Sequence, residues 1–239
     1  MTKILAMETK LYLREPAGLL ISLLLPLGLL LGIGGISAPD PGDQQTLETH
    51  LPGMMTTLAV MTLGFTILPG TLAAYRESGV LRRMSTTPVS PGKVLVVQLL
   101  INLVVAVLAG VVLIVAGNLV HGIAVPRQPG WFVLAFVLGS ASLFAIGLLL
   151  AALVPNAKLA SGIGSVLMFP LMFVSGMWMA RETMPEFLRR IGDFLPVAPF
   201  GQALRDTWWG AAPNPRDLIV ITLTLVVAGA VAVRFFRWE

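Results

Sequence analysis

The feature that most limits what this chain can fold into is an apolar run of about 20 residues, repeated along its length. A helix rises about 1.5 Å per residue, so such a run matches a hydrocarbon core about 30 Å thick. The runs are read at residues 17–36, 51–74, 94–120, 130–154, 159–180 and 217–236. In lipid the backbone must satisfy its own polar groups, so each run is expected to be a helix. A β-barrel would show shorter, alternating segments instead. The expected fold is an all-α polytopic membrane protein with six transmembrane helices in one transmembrane domain over 1–239. Composition agrees: 56% of the residues are hydrophobic and 12% charged, against about 25% charged in a soluble domain. The first run follows a charged, helix-like segment, so it is read as a span and not as a cleavable leader.

Charge sets the orientation. The segments expected inside carry Lys3, Lys10, Arg14, Arg76, Arg82, Arg83, Lys93, Lys158, Arg234 and Arg237, while the short outer loops carry Arg127. The positive-inside bias therefore puts both termini in the cytoplasm. The net charge of +4 sits at span ends, where topology and lipid head groups explain it, so nucleic acid is not an expected partner. Residues 37–50 are acidic and are expected to form a polar outer loop. Pro26 and Pro170 are expected to kink or break their spans.

Three connections are more than links. Lys3, Lys10 and Arg14 share one helical stripe in Thr2–Arg14, with Glu8 in the apolar arc, which reads as an amphipathic helix on the inner surface. The loop 75–93 carries Arg76, Arg82, Arg83 and Lys93, opposed by Glu77. Within it Val80, Leu81 and Met84 share a face, and Thr86-Thr87-Pro88 and Pro91 stop the helix. Such a short, rigidly ended helix suits docking of a protein; the alternative is a solvated loop that only sets topology. In 181–216, Met184, Phe187, Leu188, Ile191, Phe194 and Leu195 repeat with helical period. Pro196 and Pro199 then end that helix and begin a second one, which Trp208-Trp209-Gly210 closes with interfacial aromatics. This reads as a helical hairpin in the outer leaflet.

The sequence has no cysteine, no HExxH, no GxSxG and no P-loop, which argues against hydrolase chemistry, a metal centre, or ATP binding by this chain. No ionisable residue falls in the middle of a span, which argues against an ion-coupled carrier, although Asn102 and backbone carbonyls could hold sodium. A membrane path without an energy source calls for a partner at the inner face. Met55, Thr62, Phe65, Asn102, Met168 and Met172 are the candidate path residues; their alternative role is helix packing.

These features, in order, resemble the permeases of the ABC-2 type transporter family, particularly its drug-resistance branch typified by daunorubicin exporters. The resemblance rests on the amphipathic segment before the first span and on Arg76-Glu77-Ser78-Gly79 followed by Leu81 and Thr87-Pro88-Val89-Ser90. It rests also on Phe169-Pro170-Leu171-Met172-Phe173-Val174-Ser175-Gly176, and on Met184-Pro185 through Leu195-Pro196 to Pro199. It implies a subunit of the bacterial cytoplasmic membrane that pairs with a second permease copy or paralogue. Two separate ATPase subunits would bind ATP and Mg. It implies a coupling helix at Glu77–Met84, an interfacial connecting helix at Thr2–Arg14, and an outer gate with Phe187, Ile191, Phe194 and Pro196. Efflux of drug-like or amphiphilic compounds follows from it, with lipid or lipid-linked glycan export as the alternative.

Overall fold

The structure, a computed structural model, describes residues 17–34, 41–85, 91–178, 181 and 183–236. Among these every regular element is helical. In chain order they are α1 (Ala17–Gly34), α2 (Pro41–Met61), a π-helical turn (Thr62–Ile67), α3 (Leu68–Glu77), α4 (Val80–Ser85) and α5 (Pro91–His121). They continue as α6 (Pro129–Leu153), α7 (Ala157–Ser175), α8 (Glu186–Phe194), α9 (Val197–Trp209) and α10 (Pro215–Phe235). Five helices among the described residues are long and apolar enough to cross a membrane: His50–Glu77, Gly92–His121, Pro129–Leu153, Ala157–Ser175 and Pro215–Phe235. The apolar stretch of α1, Leu20–Ile33, is shorter than these.

Expected and observed boundaries differ where polar sequence is helical. Residues 41–50, expected as loop, are the first turns of α2, so His50 lies on a helix. Helix α7 runs on through Pro170, and α1 through Pro26. Proline inside a spanning helix is tolerated because neighbouring helices and local adjustments re-satisfy the freed carbonyls. Residues 154–156 make the turn between α6 and α7. There the Asn156 Oδ1 accepts from the Lys158 and Leu159 amides at 2.9 and 3.2 Å and caps α7.

The α2–π–α3 rod is the centre of the bundle, with Leu58, Met61, Leu63, Phe65, Leu68 and Leu72 all within 2% of full burial. Helices α6 and α7 pack on its π turn and on α3, and α9 packs on α2. Helix α10 lies along α6, and α1 bridges α2 and α5. The outer surfaces of α5, α7 and α10 expose large apolar side chains such as Val104, Val166 and Leu223, as helices facing lipid do.

The second half of the 181–216 region departs from an interfacial hairpin. Helix α9 is core: Phe200 is fully buried and Trp208 is 2% exposed. The Phe200 ring fills the space over Gly139 of α6, where a Cβ would lie 2.0 Å from ring carbon Cδ2. Phe132 meets Trp208 edge-on at 5.1 Å, and the Trp208 Nε1 donates to the Ala124 carbonyl at 2.8 Å. Trp208 is therefore an anchor inside the protein, while Trp209 is the exposed one of the pair.

Candidate functional site

The Tyr75–Ser85 segment is tied to a neighbouring turn more closely than its charge suggests. Arg76 ends α3 and reaches the C-terminus of α6, donating from Nη1 to the Val154 carbonyl and from Nη2 to the Ala151 carbonyl, both at 3.0 Å. Those carbonyls are among the last four of α6, which have no partner within the helix. The adjacent Glu77 Oε1 accepts from the Ala157 amide at 2.9 Å, at the start of α7. A cation at a helix C-terminus and an anion at an N-terminus each complement the helix dipole. The two side chains thus form a bracket across the α6–α7 turn, and neither projects freely toward a partner.

Gly79 makes the corner between α3 and α4. Its φ of 68° lies in the left-handed region that glycine enters without a Cβ penalty. Beyond the corner, the two resolved sides of α4 differ. Leu81 is fully buried in this chain's own core, Val80 is half-buried and Arg82 is exposed. Leu81 therefore anchors α4 to the bundle, a correction to its expected place on a face turned outward. The side chains of Arg83 and Met84 lie outside the described residues, as do Lys3, Glu8, Lys10 and Arg14.

The bracket sits at one end of a tightly clamped rod. A π turn leaves its carbonyls displaced from the usual ladder, and here two glycines receive them. A Cβ on Gly147 of α6 would lie 2.0 Å from the Gly64 carbonyl oxygen, and one on Gly164 of α7 would lie 1.5 Å from that of Phe65. The next carbonyl, Thr66, accepts from the Ser161 Oγ at 3.0 Å, and the Thr66 and Ser165 hydroxyls are 3.2 Å apart. Of the candidate path residues, Thr62 and Phe65 belong to this turn, and Met55, Met172 and Asn102 are buried on α2, α7 and α5. Met168 is half-buried against the same core. Thr62 donates to the Leu58 carbonyl, and Asn102 to that of Gln98. Within one chain all of these are packed between helices. Beside Asn102, the Gln98 side-chain amide is 1% exposed and makes no hydrogen bond among the described residues.

The opposite end carries the loop from His121 to Pro129, which bonds to the end of α9 through Gln128 and Thr207. Here α8 exposes Phe187, Ile191 and Phe194, whereas Pro196 at its end is buried. Behind α8 lies a cavity of about 590 Å3. Four arginines line it: Arg181, Arg189, Arg205 and Arg216. Three aspartates join them: Asp193, Asp206 and Asp217. Arg181 pairs closely with Asp193, and Arg216 approaches the same carboxylate at 3.5 Å. Burial pushes the Asp206 carboxyl above its usual range, opposed by the Asn214 amide and by Arg205. Only the fold brings the charges of α8, α9 and the start of α10 around one space.

The comparisons with known proteins agree with this architecture. The family described as ABC-2 type transporter matches residues 2–209. A curated relative from Bacillus subtilis (strain 168), carrying the name "Putative transport permease YvfS", is 27% identical over 215 residues, covering 90% of this chain and 87% of that protein. The match runs through the bracket, the clamped rod and the hairpin helices alike. The chain belongs to the ABC-2 type transporter family.

Proposed function

We propose that this chain is the permease subunit of an ATP-driven exporter of amphiphilic compounds, worked from the cytoplasmic side by a separate ATPase. The observation that carries the reading is the bracket: Arg76 and Glu77 join the α3–α4 corner to the α6–α7 turn. A force applied at α4 would reach three helices through that junction. Arg82 and Arg83, with Val80 and Met84, are the ATPase-facing side; Leu81 holds α4 to the bundle. The segment Thr2–Arg14 serves as the interfacial helix beside it.

In this reading α1 completes a six-span layout with both termini in the cytoplasm of a bacterial inner membrane. Two permeases and two ATPase copies assemble, and the ATPases bind ATP and Mg. The buried path residues on α2, the π turn, α5 and α7 become accessible only as helices or subunits move apart. Helix α8, with Phe187, Ile191, Phe194 and Pro196, gates the outer side.

Two variants test the division of labour. Arg83→Glu should lower co-purification of the ATPase encoded with this permease while leaving the amount in the membrane unchanged. Arg76→Gln should keep the ATPase bound but weaken the stimulation of its activity by transported compounds. Full co-purification with Arg83→Glu, together with full transport, would refute docking at α4.

A further inference from the structure

We propose that the cavity enclosed by α8, α9 and the start of α10 binds a molecule carrying both an ammonium and a phosphate group. The argument begins with charges that do not neutralise one another. Asp193 is taken by Arg181 and Arg216. Among the described residues Arg189 and Arg205 form no ion pair, and neither does Asp206 or Asp217. Two guanidinium groups and two carboxylates therefore line one space without collapsing onto each other.

Asp217 is only 8% exposed; Asp206 and Asp193 repel it, while Arg181 and Arg216 attract it without closing to an ion pair. A buried carboxylate that makes no close ion pair is costly even with cations in the same space. A ligand ammonium between these carboxylates would offset that cost. On the other side, guanidinium groups match the several oxygens of a phosphate better than a single point charge would. The volume of about 590 Å3 falls within the range of small-molecule sites, about 300–1,000 Å3.

The surroundings favour an amphiphile as the bearer of these groups. Trp209, which lines the cavity, is 52% exposed, and Phe194 of α8 is 71% exposed. The Arg216 guanidinium lies 5.6 Å from the Phe194 ring centre, so the charged space opens beside an apolar face. Arg181, Gln202 and Arg205 also line a second pocket of about 30 Å3, which reaches Met54 and Thr57 on α2. These three residues thus stand between the charged cavity and the side of the central rod. That its ligand is exported cargo rests on the permease reading; that it binds does not.

The test is calorimetric titration of the full chain, purified in uncharged detergent, and needs neither ATPase nor nucleotide. The probes are short-chain phosphatidylethanolamine, short-chain phosphatidylglycerol and free phosphoethanolamine. The ethanolamine lipid should bind at least about tenfold more tightly than the glycerol lipid. Asp206→Asn/Asp217→Asn should erase that preference. Arg189→Gln/Arg205→Gln should weaken both lipids by about tenfold or more. Arg190→Gln should behave as the unaltered protein, since Arg190 is exposed and pairs with Glu186 on its own helix at 2.5 Å. Competition by free phosphoethanolamine would identify the head group alone as sufficient; its failure to compete would make the phospholipid the ligand. Equal affinity for the two lipids overturns the proposal. So does unchanged binding in the arginine double variant at unchanged thermal stability, a result that stands even if the aspartate variant does not fold. Loss of transport with lipid binding intact would count instead against the exporter reading.

Discussion

At the scale of single residues, the glycines facing the π turn make the sharpest prediction. Gly164→Ala places a methyl group against a carbonyl that neither helix can withdraw easily. Overpacking typically costs about 1–3 kcal/mol, and backbone leaves less room to yield than a side chain does. Thermal unfolding in detergent should show Gly164→Ala and Gly147→Ala clearly destabilised. Gly162→Ala, with nothing within 4 Å of its would-be Cβ, should be neutral or slightly stabilised, as alanine favours helix. Gln98→Leu should also raise stability, by about 1–3 kcal/mol, because it removes a buried amide with no partner among the described residues. The geometry gives Gly147 and Gly164 the role of close-packing residues. Nothing in the sequence hinted at Arg76's carbonyl partners, which lie 75 and 78 residues away in the chain. Charge alone led only to the expectation that Arg76 is an inner-face cation. Only tertiary packing shows that both its terminal nitrogens, Nη1 and Nη2, are already engaged.

At the scale of elements, five of the six apolar runs fall on the five helices long and apolar enough to cross a membrane, and the first falls on the shorter apolar helix α1. Reading by apolar runs failed at 41–50, where a polar sequence continues the helix. It also failed at α9, whose aromatics look interfacial but fill the bundle. Tryptophan satisfies an interface or a core equally well if its N–H finds an acceptor, and Trp208 finds one in Ala124. The π turn left no readable trace in the sequence. It amounts to one extra residue in an α-helix, so deletion of Leu63 should restore α geometry and rotate α3 by about 100° relative to α2. That rotation would carry Arg76 and Glu77 away from the α6–α7 turn. The variant should still insert in the membrane, yet its transport should fall to background and its unfolding temperature should drop. Retained transport would show that the turn is an incidental irregularity.

At the scale of the whole molecule, orientation is the property to measure. The chain contains no cysteine, so single cysteines report cleanly on which side of the membrane they lie. Arg82→Cys should react with a membrane-impermeant maleimide only in inside-out vesicles, and Ala211→Cys only in intact cells or right-side-out vesicles. Both positions are exposed, so failure to react on either side cannot be blamed on burial. The reverse pattern would invert the molecule and move the bracket away from any cytoplasmic ATPase. Burial is also uneven among the spans. Only 17% of the apolar window of α7, and the same share of α10, is buried within the chain, against 78% for the central rod. The outer helices therefore leave most of their surface to lipid or to another subunit.

The meeting of carbonyl oxygens with bare Cα positions at Gly147 and Gly164 has a mechanical meaning. Side chains act as springs between helices, because they can change rotamer and absorb displacement. Where main chain touches main chain, there is nothing soft to compress. A push delivered near Gly79 should therefore arrive at the Gly64 and Phe65 carbonyls almost undiminished, as along a rigid crank and not a chain of cushions.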